Sequence, residues 1–409
     1  MSYRCPGQVC RSSPPRTWHE YRAALDRATI SITQDTALDE AQLLVMSGSS
    51  IPKSVLVPVR TLAVPCAWQV GSIVLHPGAN ARTLITNAPP LSVPDESLRD
   101  KVHEILDSCA TSSIAVVHDV DDFNEALEVV AASLSALRLF QLSRRRSTET
   151  TFELPGELYS ANFDYVAVAD RSAPGFAHRG HHTGWTFSMD SYNDWMASPA
   201  FQLLSEALRD RDRTEGTRRA VTGMLLYDRA AMEHRPDLKM IGFASALEAW
   251  MTRRSQGSQT MRLARHVTWF GCGAHDDDLC GRSRPICPYL HLSPDRKSDR
   301  DRLKTLRDLG NTYGTWRCSE WHRVMDWYDA RSDAAHGDPT AVDAKHASGA
   351  EFWISHYLAE PILLWLRDHP HDPVGELEAH LDSIQDPGNW AAMIAALDSS
   401  SPPAVPPSL

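Results

Sequence analysis

Residues Tyr328–Pro339 read YDARSDAAHGDP, with an arginine five positions ahead of a histidine where a helix has reason to stop. Upstream, Trp321, Val324 and Tyr328 are spaced three and four apart and form an apolar stripe, so Ser319–His336 is expected to be a helix. Gly337 suits a left-handed terminator, and Asp338-Pro339 prevents continuation. The stripe continues onto Arg331 and then Ala335, which puts a cation where an apolar residue is expected. His336 follows the neighbouring row of Met325, Tyr328 and Ser332. At helical pitch Arg331 and His336 lie about 140° apart around the axis and ~7.5 Å along it, so they flank a shallow groove rather than share a face. Ser332 and Ala335 line that groove, with Tyr328 one turn below, and it could admit a backbone phosphate. The negative end of the helix dipole favours positive charge in the last turn, and imidazole is the side chain that titrates near neutrality. A plainer reading of the same residues is a helix end where the histidine caps carbonyls and the arginine makes a surface ion pair.

The stretch RSDAAHG resembles the Arg-x4-His motif of HEPN domains, and WYDARSDAAHGD resembles the form found in ApeA-like HEPN proteins. The upstream helical segment MIGFASALEAWM suits the same family, and the likeness covers roughly residues 215–370. It implies an α-helical domain that dimerises through its motif helices and, in many members, cleaves RNA without a metal. Carried onto this chain, His336 is the general acid or base acting on a ribose 2′-hydroxyl. Arg331 binds the phosphate and stabilises its developing charge. Tyr328, Ser332 and Glu248 support them. Two facing motif helices would bring both pairs to one cleft. The resemblance also implies anti-phage defence by abortive infection, with host or phage RNA as substrate, tRNA among the candidates, and a phage trigger. Other members have lost catalysis and only bind nucleic acid or protein, so the inactive dimerising module is the competing expectation.

Glu248 lies on an apolar face, spaced with Ile241, Ala244 and Met251. A carboxylate pointed into a core needs a partner or is driven neutral, and Arg331 is the natural candidate. Glu248 then either orients Arg331 or His336, or fixes helix register through a buried ion pair.

The segment CGAHDDDLCGRSRPICPYLH holds Cys272, His275, Cys280, Cys287 and His291, spaced Cys-x2-His-x4-Cys-x6-Cys-x3-His. Three sulfurs and one imidazole would close a tetrahedral structural zinc site, with the choice between His275 and His291 open and Cys318 a distant fallback. The alternative is a loop with cysteines buried as small apolar groups. No glutamate nearby offers a base for a catalytic zinc, and the resemblance implies RNA chemistry that requires no metal or other cofactor. Arg282 to Asp308 carries eight Arg or Lys against four Asp, which could hold RNA phosphates or form a solvated helix face. His178, His181 and His182 read as loop histidines rather than a site.

The 409 residues carry a formal net charge of −11, so nucleic-acid contact needs a local patch rather than a basic surface. Hydrophobic residues make up 42%, enough for a sizeable core. There is no phosphate-binding glycine loop, nucleophile elbow or dinucleotide fingerprint. No apolar run is long enough to span a bilayer and no signal-peptide core opens the chain, so the default expectation is a soluble cytoplasmic protein.

The expected fold class is α+β: a mixed α/β N-terminal region followed by an all-α HEPN-like domain. Residues 1–16 and 396–409 read as disordered tails, 17–190 as a mixed α/β sensor or regulatory domain, and 191–395 as the helical domain with a Cys/His insertion at 271–292. VLVPVRTLAV, WQVGSIVLHPG and SSIAVVHDV read as strands. SVPDESLRDKVHEILDS and DDFNEALEVVAASLSALRLFQLSRRR read as helices. In the second half, helices are expected over 193–212, 217–232, 237–253, 259–270, 297–309, 319–336, 343–368 and 374–384, with Pro361 kinking the penultimate one.

Overall fold

The structure is a computed structural model that describes residues 55–59, 62–80, 110–118, 123–144, 165–167, 175–177, 185–210, 212–253, 258–272, 287–313, 318–338 and 342–384, with 83 and 107. The two expected tails, the helix expected over 92–108 (save Asp107) and the triple-histidine stretch lie outside the described residues. The architecture is α+β. A four-stranded antiparallel sheet has the order β1 (Val55–Val59), β5 (Ser113–Val117), β4 (Ile73–Pro77), β3 (Trp68–Val70). Strands β1 and β4 alternate buried and half-buried residues, as a sheet with one covered face requires, while all five residues of β5 are buried. Two short pairs complete the strands: β2 (Leu62–Ala63) parallel with β8 (Trp185–Thr186), and β6 (Tyr165–Ala167) antiparallel to β7 (Gly175–Ala177).

Helix α1 (Phe123–Arg144) lies against the sheet and turns its other side to the helices that follow. Between them Arg138 and Asp228 form a two-pronged ion pair, Nε to Oδ1 at 2.7 Å and Nη2 to Oδ2 at 2.8 Å, and Ser135 donates to Oδ2 at 2.8 Å. Trp68 from the sheet stacks edge-on with Phe187 and Tyr192 and lies 5.8 Å from the ring of Phe201, so strand and helix aromatics share one cluster. The apolar core runs without a break from Val55 to Leu381, across the change in character near residue 190.

The helical part follows the expected spans with two differences. A single helix over 193–212 is replaced by α2 (Met189–Met196) and α3 (Pro199–Arg209). Ser198 caps α3 by accepting from the Phe201 amide, and Pro199 takes the first helical position, where its missing N–H costs nothing. The long helix over 343–368 is interrupted by a π turn at Ile354–Leu358, between α10 (Ala344–Trp353) and α11 (Ala359–Asp368). Pro361 would clash with the carbonyl of Tyr357, four residues earlier, and that carbonyl lies inside the π turn. The irregularity therefore sits one turn before the proline rather than at it.

The body of the helical part is α4 (Glu215–Met232) paired with α5 (Pro236–Met251), with α6 (Gln259–Gly271) and α9 (Ser319–Ala335) packed beside α5 and each other. Gly223 permits the close approach of α4 to α5: a Cβ there would lie 2.2 Å from the indole nitrogen of Trp250. Short α7 (Pro288–His291), α8 (Lys297–Tyr313) and α12 (Pro373–Ser383) complete the fold. No helix among the described residues is long and apolar enough to cross a membrane.

Candidate functional site at the end of helix α9

Helix α9 buries Trp321, Val324, Met325, Trp327 and Tyr328, so the stripe read from the sequence is its core face. One turn on, Arg331 is half-buried. Its guanidinium carbon lies 5.3 Å from the centre of the Tyr328 ring, within cation–π range, and its Nε is shut from water with no hydrogen-bond partner. Glu248, half-buried near the end of α5, is its electrostatic neighbour. Burial pushes the Glu248 carboxyl above its ordinary value, and the charge of Arg331 opposes that rise. Among the described residues no hydrogen bond joins the two side chains, so Arg331 keeps donors available.

The helix ends at His336, whose amide bonds back to the carbonyls of Ser332 at 2.9 Å and Asp333 at 3.1 Å. Gly337 has φ +97° and donates to Ala334 O at 3.1 Å, while Asp338 donates to Asp333 O at 3.0 Å. This is a Schellman termination, and glycine is required at the left-handed position. His336 is thus the C-cap residue with an exposed side chain, and Ser332 is half-buried one turn below. The structure sets Arg331 over Tyr328 and within electrostatic reach of Glu248, with no ion pair between the two charged groups among the described residues. It leaves the His336 ring at the helix end with no hydrogen bond among the described residues. Asp343 then caps α10 by accepting from the His346 amide at 2.7 Å, and α10 packs against α5.

The first turn of α9 holds a second group of polar residues that sequence reading did not single out. Glu320 is buried, accepts from the Trp353 indole at 2.7 Å, and lies 4.0 Å from Arg323. The Arg323 guanidinium sits 3.5 Å over the Trp353 ring. These contacts fix the π-turn junction to the start of the motif helix. The only advance signal was an acid in a first helical turn, which is common.

The Cys/His segment is described only at its ends. His275 and Cys280 lie outside the described residues. Cys272 and Cys287 are buried and His291 is half-buried on α7. The Cys287 thiol meets that of Cys318, the residue that precedes α9. Hydrogen bonding with Cys287, then burial, hold the Cys318 thiol well above its ordinary pKa. Among the described residues no three His, Cys, Asp or Glu side chains form a metal site.

The basic run on α8 is partly neutralised from within. Arg307 pairs with Asp329 and lies 3.9 Å from Asp326, both on α9. Arg302 meets Asp299 at 3.5 Å, and Arg300 donates to the carbonyls of Pro294 and Asp295. Arg296, Lys297 and Lys304 stay exposed.

Comparison with known proteins gave no matching family model, no matching curated protein and no matching solved structure.

Proposed function

We propose that the chain is a HEPN-type, ApeA-like endoribonuclease that cuts RNA in the cytoplasm as an effector of anti-phage abortive infection. The observation that carries the reading is Arg331. It holds a half-buried guanidinium over an aromatic ring with its Nε unbonded, five residues before an exposed histidine at a helix end. A planar cation with open donors is suited to a phosphate, and in a half-buried setting its charge is less screened than at the surface.

In the reaction that follows, His336 takes the proton of a ribose 2′-hydroxyl and that oxygen attacks the adjacent phosphorus. Arg331 balances the charge that builds on the phosphoryl oxygens. The 5′-oxygen of the next nucleotide leaves and is protonated, giving a 2′,3′-cyclic phosphate and a 5′-hydroxyl end. Glu248 and Tyr328 position Arg331, and Ser332 lines the approach. A homodimer through the helical domain would place a second pair of Arg331 and His336 at the same cleft, and the N-terminal sheet domain would sense the trigger or restrain the nuclease.

The second reading is a dimerising module that binds RNA or a protein partner without cutting it. It is favoured by the free end of His336, since a general base is usually held by a neighbour. Expression of wild type and His336→Ala at equal levels, with and without phage, separates the two. Growth arrest and RNA fragments with cyclic phosphate ends in wild type alone support the nuclease. Equal behaviour of two folded proteins, with RNA still bound, leaves the binding module.

A further inference from the structure

We infer that Arg323 and Phe352 form a second RNA subsite, in which the arginine holds a backbone phosphate and the exposed ring takes a base. The inference rests on the RNA reading of α9 but not on cleavage, since a strand that is only bound would use the same residues. Arg323 repeats the arrangement of Arg331. Its guanidinium lies 3.5 Å over the Trp353 ring, as that of Arg331 lies over Tyr328, and its Nε too is shut from water with no partner. Among the described residues Arg323 makes no hydrogen bond, and its one ion pair, with Glu320, is stretched to 4.0 Å. Glu320 already accepts from the Trp353 indole at 2.7 Å. The arginine side chain is 31% exposed, so a planar cation with unmet donors faces outward, as two-pronged phosphate binding requires. Eight residues place it about 12 Å along α9 from Arg331 and about 80° around the axis. With each guanidinium held on its own ring, the two suit separate phosphates along one strand.

The base contact comes from the π turn. Trp353 ends α10, and the turn that follows carries His356 and Tyr357. Tyr357 packs on Trp353 with ring centres 4.4 Å apart and meets Phe352 edge-on at 5.9 Å. Phe352 is 46% exposed, and the His356 imidazole stacks on one side of it at 4.0 Å. That stack leaves the other side of the ring for a base. A continuous row of touching rings thus joins Phe352 to the ring beneath Arg323. Aromatic stacking beside a backbone cation is how single strands are held without regard to sequence. In a chain of net charge −11, stacking also supplies affinity that cations alone do not.

A short, end-labelled 2′-O-methyl RNA lacks the attacking hydroxyl, so its binding to the full-length protein is read without cleavage. Arg323→Gln should weaken binding roughly tenfold and flatten the slope of log affinity against log salt by about 0.7. Phe352→Ala should weaken binding roughly fivefold or more, and Phe352→Trp should restore it. An abasic strand of equal length should be insensitive to Phe352→Ala yet still lose affinity in Arg323→Gln. Wild-type affinity in both Arg323→Gln and Phe352→Ala, with loss in Arg331→Gln, would overturn the subsite and leave the RNA reading standing. Binding that needs Arg323 and Phe352 in a protein that cuts no unmodified RNA would keep the subsite and refute the nuclease. A wild type that binds no strand refutes both. Loss in Arg323→Gln with a lowered melting temperature, and none in Phe352→Ala, would make Arg323 only a cover for Trp353 and overturn the proposal.

Discussion

Arg138 and Asp228, 90 residues apart, meet in a fork of two hydrogen bonds with their side chains 1% and 6% exposed. Removing one partner strands a buried charge, so Arg138→Ala should cost about 3–5 kcal/mol in urea unfolding. The double variant Arg138→Met with Asp228→Leu should recover most of that loss. If each single change costs under about 1 kcal/mol, the pair is not the joint between α1 and α4 that its geometry implies.

Gly223→Ala should lower stability by at least about 2 kcal/mol, because its methyl group would overlap the Trp250 indole. Trp250 cannot step aside freely, since its Nε1–H donates to the Ala220 carbonyl at 3.2 Å. Adding Trp250→Phe should ease the overlap at the cost of that bond. A Gly223→Ala protein with wild-type thermal stability would show that α4 and α5 stand further apart.

His266 is fully buried, donates from Nδ1 to the Met251 carbonyl at 2.7 Å, and has its pKa lowered to about 3 by burial. A lowered histidine pKa stabilises the fold above the unfolded value near 6.5, and that contribution is lost as pH falls towards the folded value. The slope can reach about 1.4 kcal/mol per pH unit. Urea midpoints at pH 7, 6 and 5 should fall more steeply in wild type than in His266→Gln. Parallel curves would show that another group governs acid sensitivity.

Glu248 moves the other way. Its raised pKa means that the ionised form carries a cost in the folded state, absent below the ordinary carboxylate range and growing as pH rises through the raised value. Glu248→Gln should therefore be neutral to slightly stabilising at pH 7.5, by roughly a few tenths of a kcal/mol because the side chain keeps contact with water. That advantage should vanish at pH 4. A marked loss of stability at pH 7.5 would mean that the attraction of Arg331 outweighs the burial cost.

The helices were legible wherever an apolar period and a cap coincided. Ser319–Ala335 ends within one residue of the expected stop, because the glycine after His336 has no helical alternative. The break at Ser198-Pro199 was also readable, yet the apolar rhythm on both sides invited one continuous helix. The π turn was not readable, since its cause acts four residues upstream of Pro361 and depends on packing at both ends. The stripes of α5 and α9 suggested Glu248 as the partner of Arg331; the charge of Arg331 acts on the Glu248 carboxyl, but among the described residues the two form no ion pair. Cys318 was legible only as a distant fallback to the Cys/His segment, because spacing rules favour residues close in sequence, yet its thiol is the one that meets Cys287.

The unbroken core has a consequence for engineering and for descent. Phe201, Leu204 and Met224 belong to the same apolar cluster as Trp68 and Leu137. Cut near residue 190 and grafted elsewhere, the helical half would carry a raw greasy flank in search of a cover. Such a half does not travel as a cassette: any chain that inherits it must inherit, or reinvent, the sheet that keeps it dry.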